Sequence, residues 1–151
     1  MPNKFEDIIF LFLNNESKIE KLYKMFMIKF PSHQKLWGKL AAKKRYQVEA
    51  LKDLSLRFDR YNFFKMNGHA IGILNYVNNF IDDQIRKIKE EKIYLPEALM
   101  VASRLERSLK EKDSVKLLEP KHNDVFKIFK MFNHQSEQHV SLLFDAYSKL
   151  A

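Results

Sequence analysis

Apolar residues recur along almost the whole chain at steps of three, four and seven, the spacing that gathers side chains on one face of an α-helix. Phe5, Ile9, Phe12, Ile19, Tyr23, Phe26 and Phe30 form the first stripe and predict a helix from about Asn3 to Phe30. Pro31 ends it, and Ser32 is placed to cap the next. Leu36, Trp37, Leu40, Val48, Leu51 and Leu54 predict a second helix from His33 to about Leu56. An aromatic-rich, irregular stretch follows, closed by the turn pair Asn67-Gly68. Ile73, Leu74, Val77, Phe80, Ile81, Ile85 and Ile88 then predict a third helix over roughly Ala70 to Glu91. Leu95-Pro96 opens a fourth, since proline suits the first turn, and Ala98, Leu99, Ala102, Leu105 and Leu109 carry it to about Lys112. A loop around Asp113 to Pro120 is expected to pack through Val115, Leu117 and Leu118. The last helix, about Lys121 to Leu150, shows Val125, Ile128, Phe129, Phe132, His139, Leu142, Leu143 and Ala146 on one face. Without repeats or low-complexity linkers, and with 151 residues, the pattern is that of a single all-α domain.

The stripes are interrupted by polar residues. Glu16 lies four after Phe12, three before Ile19 and seven before Tyr23, so it belongs to the apolar face of the first helix. Lys44 stands four after Leu40 and seven before Leu51, with Gln47 three further on. Glu106 is four after Ala102, and Ser136 and His139 continue the series from Phe132. Buried charges are costly and are normally paired or coordinated, so interruptions on four helices are expected to converge into one polar layer. At each position a plainer reading stays open. Glu16 and Glu106 could stand at a stripe edge and reach solvent. Lys44 could join Lys43 and Arg45 as surface charge, or extend its head to water over a buried stem. His139 could be a hydrogen-bonded core histidine, and Gln47 and Ser136 ordinary helix residues.

This layout resembles the rubrerythrin branch of the ferritin-like family. The interval Glu16, Tyr23, Phe26 is similar to that family's first helix. Phe30-Pro31 followed by Leu36-Trp37-Gly38-Lys39-Leu40-Ala41 is similar to the opening of its second helix in bacterial relatives. The resemblance covers nearly the whole chain and implies a ferritin-like four-helix bundle, with the third predicted helix as the long crossover between the two helix pairs. The family holds two irons through a Glu from each of two helices and a Glu-x-x-His pair from each of the others. Glu16, Glu106 and His139 keep the expected ligand type at the matching positions; Lys44, Gln47 and Ser136 depart from it. The rubredoxin-like iron site of full rubrerythrins needs four cysteines, and the sequence has none. An ammonium at Lys44 stands where metal charge belongs and opposes metal binding. It is expected instead to neutralise Glu16 and Glu106, with Gln47, Ser136 and His139 completing the hydrogen bonds.

The resemblance therefore implies a vestigial di-iron layer, no cofactor, no catalytic residue, and a non-enzymatic structural, interaction or ligand-binding role. Its alternative is a divergent di-iron oxidase or peroxidase, or an iron-binding protein. Iron would then rest on Glu16, Glu106 and His139, with Glu20, Glu49 or Glu137 substituting after a helix rotation.

Composition narrows the field further. The absence of cysteine excludes disulfides, thiolate zinc sites, iron–sulfur clusters and a cysteine nucleophile. The longest apolar run near the start, Ile8 to Leu13, is far below the roughly 20 residues that span a bilayer, and no secretory signal pattern stands before it. The expectation is a soluble cytoplasmic protein, not an integral membrane one. A formal charge of +8 admits nucleic acid, an anionic surface or an acidic protein as partners. Because acids are interleaved with the basic residues nearly everywhere except Lys43-Lys44-Arg45, an ordinary solvated surface is the preferred reading. The strip Arg57 to Lys65 alternates aromatics with cations, as single-strand binding surfaces do, although packing on a bundle end is its more ordinary use. Parts of it, or Tyr94-Leu95, are candidate contacts for a homodimer. No His-Glu-x-x-His motif, glycine-rich phosphate loop or hydrolytic triad spacing occurs.

Overall fold

The computed structural model describes residues 6–57, 68–111 and 123–150. The side chains of the Arg57 to Lys65 strip and the whole Asp113 to Pro120 loop lie outside the described residues. Within them the chain is all-helical, with no strand. Helix α1 spans Glu6–Lys29, a 3-10 turn Pro31–His33 follows, and α2 spans Gln34–Arg57. Helices α3 (Gly68–Lys89), α4 (Leu95–Glu111) and α5 (Asn123–Ser148) complete the set. No helix among the described residues is long and apolar enough to cross a membrane.

Two local expectations are corrected. Ser32 does not cap α2. Pro31 tightens the chain into a 3-10 turn that runs straight into α2, with the His33 N–H on the Phe30 carbonyl at 3.0 Å. The Ser32 hydroxyl instead meets His33 Nδ1 at 2.9 Å. The third helix ends at Lys89 rather than at Glu91, because Glu91 adopts the left-handed conformation, φ 55°. The N–H of Lys92 then bonds the Lys87 carbonyl at 2.8 Å and that of Glu91 bonds Ile88 at 3.0 Å. This is the Schellman closure that normally favours glycine at the reversed residue.

The core falls into two apolar clusters separated along the helices. At one end Ile8, Ile9 and Phe12 of α1 meet Leu51 and Leu54 of α2, Ala70 and Leu74 of α3, and Phe129 and Phe132 of α5. At the other, Ile19, Leu22, Tyr23 and Phe26 meet Trp37, Leu40, Ile81, Ile88, Leu99, Ala102, Leu105 and Leu143. The Trp37 ring packs on Phe26 with centroids 4.8 Å apart and on Tyr23 at 5.9 Å, aromatic contacts that add to the burial of large side chains. The order in which α1, α2, α3 and α5 enter the clusters sets their directions, α1, α3 and α5 running one way and α2 the other. α4 lies in the second cluster through Leu105 and leaves it at Glu106, which meets Lys44 and Ser136 between the clusters, so it runs with α2.

Helix α1 buries two faces, one on α2 and one on α3. The α3 seam sets polar contacts among apolar ones. Asn15 Nδ2 donates to the Leu74 carbonyl at 2.9 Å, and Lys18 Nζ meets Asn78 Oδ1 at 2.9 Å and Asp82 at 2.9 and 3.1 Å. These contacts set α3 alongside α1 over most of its length, leaving α1's other face to the layer between the clusters.

Candidate functional site

Between the two apolar clusters each of four helices turns a polar group inward. Glu16 follows Phe12 by one turn on α1, Lys44 follows Leu40 on α2, Glu106 follows Ala102 on α4, and Ser136 follows Phe132 on α5, so every one inherits the buried face of its helix. Glu16, Lys44, Gln47, Glu106, Ser136 and His139 are all buried, Lys44 and Glu106 with no exposed surface at all.

Lys44 Nζ stands 3.1 Å from Glu16 Oε2 and 3.3 Å from Glu106 Oε2. Glu106 is the hub. Its Oε2 also accepts from the Ser136 hydroxyl at 3.0 Å, and its Oε1 accepts from the Tyr23 hydroxyl at 2.9 Å. His139 Nδ1 lies 3.4 Å from the same Oε1, an electrostatic contact without hydrogen-bond geometry. The surface-charge reading of Lys44 is thereby replaced. Lys43 and Arg45 are exposed, while the lysine between them points into the core, 100° around the helix from each.

Two expectations at this layer are revised. Gln47 is buried but does not complete the network; its Nε2 donates to Gln135 Oε1 of α5 at 2.7 Å, and its own Oε1 has no partner. Tyr23, assigned by its spacing to the apolar face, supplies a hydroxyl that the carboxylate uses. The signal was available, since Tyr23 follows Glu16 by seven and so lies on the same face. The acids proposed as substitutes do not enter the layer. Glu20 pairs with Lys24 at 2.8 Å and with Arg45 at 3.8 Å, Glu49 pairs with Arg45 at 3.1 Å, and Glu137 is exposed.

The electrostatics follow from burial set against neighbours. Burial pushes the Glu106 carboxyl up, but Lys44, His139 and Tyr23 together outweigh it and hold it at about 2. Burial likewise disfavours the Lys44 ammonium, and the two carboxylates reverse this, so Lys44 is raised. For Glu16 burial prevails over the attraction of Lys44, with repulsion from Glu106 added, and it is raised too. Burial and the Glu106 charge push the Tyr23 phenol well up, keeping it a donor. The layer thus holds a fixed charge pair, Lys44 and Glu106, with Glu16 as the softer member.

This donor set does not suit a pair of divalent cations. The position between Glu16 and Glu106 holds an ammonium, Ser136 offers a hydroxyl already given to Glu106, and the Gln47 amide is committed to Gln135. Among the described residues no cluster of three or more His, Asp or Glu is arranged to hold a metal. Replacing Tyr23 by phenylalanine removes one donor from a buried carboxylate and is expected to cost about 1–3 kcal/mol in urea unfolding. No known family model, curated protein or solved structure matches the chain.

Proposed function

We propose that the chain is a ferritin-like four-helix bundle of α1, α2, α4 and α5 in which a lysine ammonium has taken the place of a di-iron centre. It acts as a non-enzymatic structural, interaction or ligand-binding protein, with no cofactor. The observation that carries this is the Lys44 ammonium between Glu16 and Glu106, at 3.1 and 3.3 Å. One internal cation does for the two carboxylates what metal charge does in a di-iron site, and its charge opposes entry of another cation. The course of α3 supports the topology. Running beside α1, it carries the chain from one end of the core to the other, so that α2 and α4 point the same way, as one long crossover requires.

Metal analysis after expression in iron-supplemented medium tests the proposal. The expected result is iron far below one equivalent per chain and no oxo-bridge absorption band. About two irons per chain with such a band would establish the di-iron oxidase or iron-binding alternative instead.

A further inference from the structure

Helix α2 carries a second pattern on its outer side. Lys39, Ala42, Lys43, Tyr46, Glu49, Ala50 and Asp53 recur at alternating steps of three, one and three, the spacing of a seam that receives a partner helix. All are solvent-facing except Ala50, which is half-buried, and they lie opposite the core residues Leu40, Lys44, Val48 and Leu51. The stripe is symmetric about Tyr46 in size and antisymmetric in charge. Lys39 mirrors Asp53, Lys43 mirrors Glu49, and Ala42 mirrors Ala50.

A stripe of this kind is complementary to itself when reversed. We infer that the outer face of α2 is a homodimer interface, on which a second copy of this chain docks antiparallel about a two-fold axis at Tyr46. Each Lys39 then faces the second copy's Asp53 and each Lys43 its Glu49, every pair occurring twice by symmetry. Ala42 and Ala50 let the two helices approach to the usual 8–10 Å or so, and Tyr46, 55% exposed in one chain, packs on its symmetry mate. A parallel pairing would set lysine beside lysine.

The charge balance also argues against a polyanion here. In a chain of net charge +8 these seven positions sum to zero, and nucleic acid would meet Glu49 and Asp53 over half the stripe. Glu49 already accepts from Arg45 of its own chain at 3.1 Å, and Asp53 too has an interaction within its own chain, so for both the contact across the axis is shared rather than new. From Lys39 to Asp53 the helix rises about 21 Å, which buries less than the roughly 800 Å² per partner of a standard interface. The dimer is therefore weak and salt-sensitive.

Sedimentation velocity on the full chain tests this, from about 1 to about 500 μM and at low and high salt. A dimer that weakens with salt is expected. Lys39→Asp and Asp53→Lys, each placing like charges opposite one another twice, should each weaken it by about tenfold or more. The double variant K39D/D53K restores opposite pairs and should return within about threefold of the parent. All positions changed are on the surface, and thermal melts of the variants control for folding. A chain that stays monomeric throughout, a dimer indifferent to either single reversal, or a double variant no stronger than the singles would each overturn the inference. None of these outcomes depends on whether the chain binds iron.

Discussion

Replacing Lys44 by methionine is expected to destabilise the folded chain by about 3–5 kcal/mol, far more than the loss of one ordinary side-chain contact. Methionine fills nearly the same volume, so little of the loss comes from a cavity. The cost is electrostatic. Glu16 and Glu106 are both buried, and the ammonium stands between them at 3.1 and 3.3 Å. Without it two carboxyls face one another in a water-poor layer, and one must take up a proton or stay uncompensated. The same reasoning predicts a rescue. Lys44→Met combined with Glu16→Gln and Glu106→Gln removes every charge at once and should recover most of the loss, because a buried ion network adds little net stability over a neutral replacement. Urea unfolding of the parent, the single variant and the triple variant measures both effects. A single-variant loss below about 0.5 kcal/mol, the size typical of a surface position, would contradict the account.

Alkaline pH should unfold the protein unusually steeply, through two groups acting in the same direction. Lys44 is raised above its ordinary 10.5, and Tyr23 is pushed well above its ordinary 10.0. In the unfolded chain both release their protons near those ordinary values, while the folded chain still holds them. The folded state then binds more protons, and stability falls as pH rises until the folded groups release theirs. Each group contributes up to about 1.4 kcal/mol per pH unit over that window, or nearly 3 kcal/mol for the pair. The acid side is shallower, because only one carboxyl acts on each side of their ordinary 4.5. Glu106, held at about 2, contributes stability that is present above its ordinary 4.5 and lost as pH falls towards 2. Glu16, raised, changes stability with the opposite sign, since the folded chain holds its proton to higher pH than the unfolded one. Unfolding midpoints from about pH 8 to about pH 11 for the parent and for Lys44→Met/Tyr23→Phe isolate the contribution. The parent should lose stability faster than the double variant; parallel lines would mean that neither group is buried.

The sequence made the helices legible because each carries its own periodic stripe. The interruptions at Glu16, Lys44, Glu106, Ser136 and His139 were legible for the same reason, since position on a helix face follows from spacing alone. What spacing within one helix does not report is which helix lies opposite. Gln47 belongs to the layer by its face, yet its partner is Gln135, three after Phe132 and four before His139 on the α5 stripe, and only the packing of α2 on α5 selects that residue and brings it within 2.7 Å. Asn15 lies off the first stripe of α1, on a second buried face that Ile8 seven before and Leu22 seven after, both buried, mark out. The Ser32 cap failed for a local reason. Serine is a good cap only where the chain enters a helix from an extended residue, and Pro31 has already bent it into a 3-10 turn.

The charge state and surroundings of Lys44 are the centre of this account, and nitrogen-detected NMR of the lysine ζ positions reads them directly. With Lys44→Met to assign the resonance, the expected result is a Lys44 ammonium signal shielded from solvent exchange that persists above pH 10.5, the ordinary value of a lysine. A Lys44 signal that exchanges with water and is lost at that ordinary value would place the amine outside the core and contradict the burial of the ammonium.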